Sequence, residues 1–160
     1  MRNWLRLSLA AVVIDQATKF AAVQWLALHT PQPLLPSFNL TLVYNRGAAF
    51  SLLSDAGGWQ RWFFIGAALA VSALLWSWLA RLGPGDKTAA AGLSLILGGA
   101  VGNAIDRLFR GHVVDFLDLY YGLYHWPAFN VADACITAGA LLIIAVAVTD
   151  REEKDGSAAG

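Results

Sequence analysis

The sequence predicts an all-α membrane protein with four transmembrane helices and a small strand-forming segment on its outer face. Three observations lead there. Charged residues make up 14% of the 160-residue chain, against about a quarter in an ordinary soluble domain. Hydrophobic residues reach 58% and the formal net charge is zero, whereas a soluble surface is coated with charge and kept dispersed by a net charge. Long stretches also run without any charged residue. The same figures exclude other classes. With no basic excess there is little to hold a nucleic-acid backbone. Cys135 stands alone, which excludes an internal disulfide and any cysteine-based zinc site.

The uncharged runs place the spans. Residues 62–80 give 19 in a row between Arg61 and Arg81, residues 88–105 give 18, and residues 134–149 give 16. Roughly 20 apolar residues cross a bilayer core, so helical spans are expected over about 62–80, 88–108 and 129–149. The first segment, about 7–28, is long enough but holds Asp15, Gln16, Lys19 and Gln24. It opens like a signal peptide, with Arg2 and Arg6 ahead of a short apolar stretch. Asp15 cuts that stretch short, and no small-x-small cleavage site follows. It reads as a retained first span with polar residues inside it. The expectation is a single integral membrane domain over residues 1–160.

Basic residues orient the domain. The amino terminus, the 81–87 turn and the tail 150–160 carry six bases in 24 residues, while the opposite side, counted over 29–61 and 106–130, carries four in 58. The positive-inside rule puts both termini in the cytoplasm. The outer segments, 29–61 and 109–128, are then the elaborated ones. Phe38, Leu40, Leu42 and Tyr44 alternate with Asn39, Thr41 and Val43, the period of a strand. Asn45-Arg46-Gly47 supplies a turn, after which Ala48 to Leu53 is expected to return as a partner strand. Tyr120, Tyr121, Tyr124 and Trp126 suit an interfacial belt. The polar tail reads as a solvated end with no fold of its own.

Ionisable groups inside a span are costly and usually mark a pathway or a site. Asp15 and Lys19 are four apart, share a helix face and can neutralise each other. A purely structural ion pair explains them equally well. Gly98 and Gly102 form a small-xxx-small face for a neighbouring helix. Asn103 and Arg107 face one neighbour too, and Asn103 needs a partner there. Asp115 follows the third span and Asp133 begins the fourth, so both acids reach the same membrane face. Two carboxylates held close cannot both ionise cheaply, and such a pair can activate water and protonate a leaving group. The bland alternative makes Asp133 a helix cap and Asp115 a loop acid. Asp118 reads as solvated or supporting. No phosphate loop or HExxH occurs, and His29, His112 and His125 lack ligand spacing.

Five blocks run in the order of a known family: Asp15-Gln16-Ala17-Thr18-Lys19, Asn45-Arg46-Gly47-Ala48-Ala49-Phe50, Gly98 to Arg107, Val114-Asp115-Phe116-Leu117-Asp118, and Phe129-Asn130-Val131-Ala132-Asp133. The chain resembles the bacterial lipoprotein signal peptidases, also called signal peptidase II. The resemblance implies an aspartic endopeptidase of the bacterial cytoplasmic (inner) membrane, working at the outer leaflet without metal or cofactor. Its substrates would be prolipoproteins carrying a diacylglyceryl group on a cysteine, cut just before that cysteine. Asp115 and Asp133 match the family's catalytic pair. Asn103, Arg107 and Asn130 match residues lining the active site, and Asp15, Lys19 and Asn45 match residues supporting the site or the substrate. The strand-forming segment would be the family's β-cradle on the membrane surface, and cyclic peptides of the globomycin type would inhibit. Membrane lipids are the remaining partners, nucleic acid is not one, and a monomer is the default.

The rival from another class is a small ion- or proton-coupled transporter with Asp15, Lys19, Asp106 and Asp133 as a relay. Its midplane site would need polar groups on both sides, whereas the cytoplasmic half of spans two to four is uncharged.

Overall fold

Helices and short strands alternate along the computed structural model, which describes residues 2–47 and 58–158, with side chains over 3–47 and 58–149. In chain order the elements are α1 (Arg2–Trp25), β1 (Gln32–Leu35), β2 (Phe38–Asn45), α2 (Trp59–Arg81), α3 (Lys87–Arg110), β3 (Val113–Tyr121), β4 (Tyr124–His125) and α4 (Val131–Ala158). Among the described residues, three helices are long and apolar enough to cross a membrane: α2, α3 and the Val131–Thr149 part of α4. The expected fourth, α1, has the length at 24 residues but is not among them. The tail, expected to have no fold of its own, continues α4 to Ala158.

The bundle is built around α3, whose apolar window is 61% buried against 6% for α2 and 11% for α4. Small residues on α3 make this possible. Gly98 and Gly102 face α1, as their spacing predicts: a Cβ on Gly98 would meet Ser8 and Ala11, and one on Gly102 would stand 2.6 Å from Asp15 Oδ2. On the other side, a Cβ on Gly99 would lie 2.3 Å from the Ala132 carbonyl oxygen of α4. Both neighbours therefore rest directly on the α3 backbone. The surface is inverted relative to a soluble bundle. On α1, Leu9, Val13 and Phe20 are exposed while Ser8, Asp15 and Lys19 are buried. On α2 and α4 the exposed side chains include Trp62, Leu69, Leu74, Leu141 and Ile144.

Gly111 ends α3 in the left-handed region (φ 78°), its N–H bonding the Arg107 carbonyl, a conformation glycine adopts without strain. The chain then turns back as β3. A four-stranded antiparallel sheet follows in the order β1-β2-β3-β4. β2 forms as its alternation predicts, pairing with β1 on one side and β3 on the other. The partner expected at Ala48 to Leu53 lies outside the described residues. β3 falls in a segment expected to be interfacial. It is buried on both faces over its first four residues, so it shows no alternation in sequence. The sheet is fixed to the bundle by Ala22 of α1, Leu42, Val114 and Phe116, which form one core cluster.

Candidate active site

The first turn of α4 organises the site. Asn130 Oδ1 accepts from the Asp133 N–H at 2.9 Å, and Asp133 Oδ2 accepts from the Asn130 N–H at 3.2 Å. This reciprocal pair is a capping box, satisfying two helix-end donors at once. Just upstream, Phe129 bridges β3, its N–H and C=O both bonded to Leu117. The start of α4 is thereby tied to the strand that carries Asp115.

Asp115 is 2% exposed. Its Oδ1 accepts from Asn130 Nδ2 at 2.7 Å and its Oδ2 from Asn45 Nδ2 at 3.1 Å. Asp133 Oδ1 accepts from Asn103 Nδ2 at 2.8 Å. Burial, and then the charge of Asp133, push the Asp115 carboxyl up to about 7, against the lowering effect of Asn45 and Asn130. The two acids thus behave as an electrostatically coupled pair.

A second layer supports the amides. Lys19 is wholly buried, and its ammonium reaches Asp15 Oδ2 at 2.9 Å, Asp106 Oδ2 at 3.0 Å and Asn103 Oδ1 at 2.9 Å. Three acceptors satisfy all three of its donors. Asn103 Oδ1 also accepts from Asn130 Nδ2 at 3.2 Å. With both Asn103 and Asn130 oxygens so engaged, their NH2 groups turn to the carboxylates. Asp15 Oδ1 in turn accepts the Ala132 N–H at 2.9 Å, and Asp106 Oδ2 the Val114 N–H at 3.0 Å. The acid–lysine cluster therefore holds both α4 and β3 by their backbone.

All eight residues singled out from the sequence converge here, and Asp15 and Lys19 join a network rather than forming an isolated pair. Arg107 lines the same cavity. Its Nη2 donates to the Gly47 carbonyl at 3.1 Å and its guanidinium lies 4.9 Å over Phe64. Of the two readings of Asp118, the solvated one is overturned, since the residue is 5% exposed. It accepts from Thr41, Asn39 and His125. Burial acts to raise its carboxyl, but these donors outweigh it and hold the group below the usual range. Asp106, Gln16 and His125 were not legible as contributors. For Asp106 the signal was its i,i+3 spacing from Asn103, which shares its face.

A cavity of about 920 Å³ opens over the pair, lined by Tyr44, Asn45, Asn103, Arg107, Asp115 and Asp133 and continuing along α4 by Thr137 as far as Leu141. Fold and site together define a multi-pass membrane enzyme. The backbone superimposes on a bacterial membrane enzyme solved at 2.3 Å by the in meso method, with a TM-score of 0.86 and 29% identity, covering 96% of this chain and 92% of that one. A second such structure, at 1.9 Å, gives 0.82 with 94% and 95% covered, also at 29% identity.

Residues 7–149 match the signal peptidase (SPase) II family, and the chain belongs to that family. Among its relatives, the lipoprotein signal peptidase of Cupriavidus taiwanensis is 53% identical over 141 residues, 88% of this chain and 80% of the relative. That of Aeromonas hydrophila is 49% identical over 154 residues, 96% and 92%.

Proposed function

We propose that this chain is an aspartic endopeptidase that removes signal peptides from diacylglyceryl-modified prolipoproteins, cutting before the lipidated cysteine, with Asp115 and Asp133 as its reacting groups. One observation carries the reading: two carboxyl groups, Asp115 buried and Asp133 half-buried, are held by N–H donors and face one cavity that runs on along an apolar helix. A pair that shares one proton offers a base and an acid side by side. Burial suits Asp115 to carry that proton, and the half-buried Asp133, the more accessible to water, is the base we assign to take a proton from the attacking water. The water oxygen bonds to the scissile carbonyl carbon while Asp115 gives its proton to the carbonyl oxygen. Collapse of the tetrahedral diol returns that proton to Asp115, and Asp133 passes its own to the departing amine. The pair ends as it began.

The same reading sets the protein in the cytoplasmic membrane, both termini inside and the sheet at the outer leaflet. A signal peptide is itself an apolar helix entering from the cytoplasm, so its cleavable end arrives at the depth of the α4 amino terminus. As the fourth span, α1 turns Leu9, Val13 and Phe20 outward and its mid-helix Asp15 and Lys19 inward, the pattern of a helix in lipid.

A gel-shift assay with purified protein and a lipidated prolipoprotein tests the assignment. Wild type converts the substrate, while Asp115→Asn and Asp133→Asn, folded as judged by thermal midpoint, leave it intact. Normal turnover by either variant removes that aspartate from the reaction.

A further inference from the structure

We infer that the backbone of Ala128 is a docking edge for the substrate's main chain, and that it hydrogen-bonds the extended segment just beyond the scissile bond. This rests on the peptidase reading above. The Trp126 N–H bonds the Leu119 carbonyl and the Phe129 N–H bonds the Leu117 carbonyl. Three residue steps on this side therefore face two on β3. The surplus residue is a bulge, which breaks the ladder locally and leaves a residue unpaired. Proline at 127 has no N–H to offer. Ala128 has both groups, and neither its N–H nor its C=O bonds any described group. It is half-buried and lines the cavity with Asp115 and Asp133.

Position selects the occupant. Thr137 and Leu141 also line the cavity, one and two turns into α4 from Asp133, or about 6 and 12 Å along the helix. That apolar arm suits the signal helix. Ala128 precedes the capping box, on the opposite side of Asp133 from Thr137 and Leu141 along the chain. A peptide whose scissile bond lies at the pair and whose signal helix follows α4 carries its mature side to Ala128. Extended peptides bind unpaired backbone in this way, main-chain bonds giving affinity independent of sequence.

Amide hydrogen exchange on the wild-type protein in detergent micelles reads the edge directly. The probe is a synthetic diacylglyceryl lipopeptide whose scissile amide is replaced by a non-cleavable methyleneamine. On saturation the Ala128 amide should slow by about tenfold or more, as expected for an N–H moved from water into a hydrogen bond. Methylating the backbone nitrogen of the residue after the lipidated cysteine should abolish that protection while binding persists. Saturable binding with unchanged exchange at Ala128 overturns the edge and leaves the peptidase reading standing. Absence of any lipopeptide binding overturns the peptidase reading, and the edge with it.

Discussion

At the residue scale, the site is governed by where one proton sits. Asp115 is pushed up from the ordinary carboxylate range to about 7, chiefly through burial and secondarily through Asp133. It therefore binds its proton more tightly folded than unfolded. Below about pH 4 both states are protonated and nothing is lost. Between about pH 4 and 7 the unfolded state ionises first and the folded state is progressively penalised, the loss levelling off above about pH 7 on the order of 1–4 kcal/mol. Asp115→Asn removes the ionisation, so its thermal midpoint should exceed that of wild type at pH 8, with the gap closing at pH 4. A gap that is constant with pH would contradict the assignment. Peptidase activity should fall above about pH 7 for the same reason, as the coupled pair loses its shared proton. Lys19 teaches a related lesson about what sequence carries. Its i,i+4 partner Asp15 was visible from spacing alone. Its contacts with Asp106 and Asn103 were not, because they cross between helices 84 residues apart or more.

At the element scale, α3 acts as a platform whose missing side chains set the position of α4. A Cβ on Gly99 would meet the Ala132 carbonyl oxygen at 2.3 Å and Ile136 Cγ1 at 2.7 Å. The first contact is backbone, so the first turn of α4 has to move. That turn holds Asp133 against Asn103. Gly99→Ala should cost about 1–3 kcal/mol of stability and lower kcat/KM by about 10²-fold through misplacement of the acid. Gly66, on α2, has nothing within 4 Å of a built Cβ. Gly66→Ala should leave activity unchanged and gain about 0.5–1 kcal/mol from helix propensity. Equal effects of the two substitutions, measured by thermal midpoint and lipopeptide turnover, would refute the packing argument. The helices and β2 were legible because uncharged runs and alternation are local patterns. β3 was not, since Val113 to Phe116 are buried on both faces and Asp115 and Asp118 made the segment look like loop. The acids are part of the strand because Asn, Thr and His side chains from other elements satisfy them.

At the scale of the whole molecule, the open question is whether α1 crosses the bilayer as α2, α3 and α4 are built to do. Hydropathy averaged along the helix works against α1, since Asp15 and Lys19 count as polar wherever they point. The fold changes that accounting: both are 0% exposed, while Leu9, Val13 and Phe20 stand outward at 54–63% alongside Ile14. A helix that buries its mid-span charges as a pair, and leaves exposed polar residues such as Arg6 and Gln24 toward its ends, can span despite its composition. Single cysteines in a Cys135→Ala background decide the matter. Asn3 and Thr30, both exposed, flank α1. Gly85 lies between α2 and α3, and Leu123, at 95% exposed, tips the β3–β4 hairpin. With a membrane-impermeant maleimide on spheroplasts, Thr30→Cys and Leu123→Cys should label directly. Asn3→Cys and Gly85→Cys should label only after permeabilisation. Like behaviour of the Asn3 and Thr30 variants would mean that α1 does not cross. Like behaviour of the Gly85 and Leu123 variants would deny α3 its span, and with it the placement of the carboxyl pair at the outer leaflet.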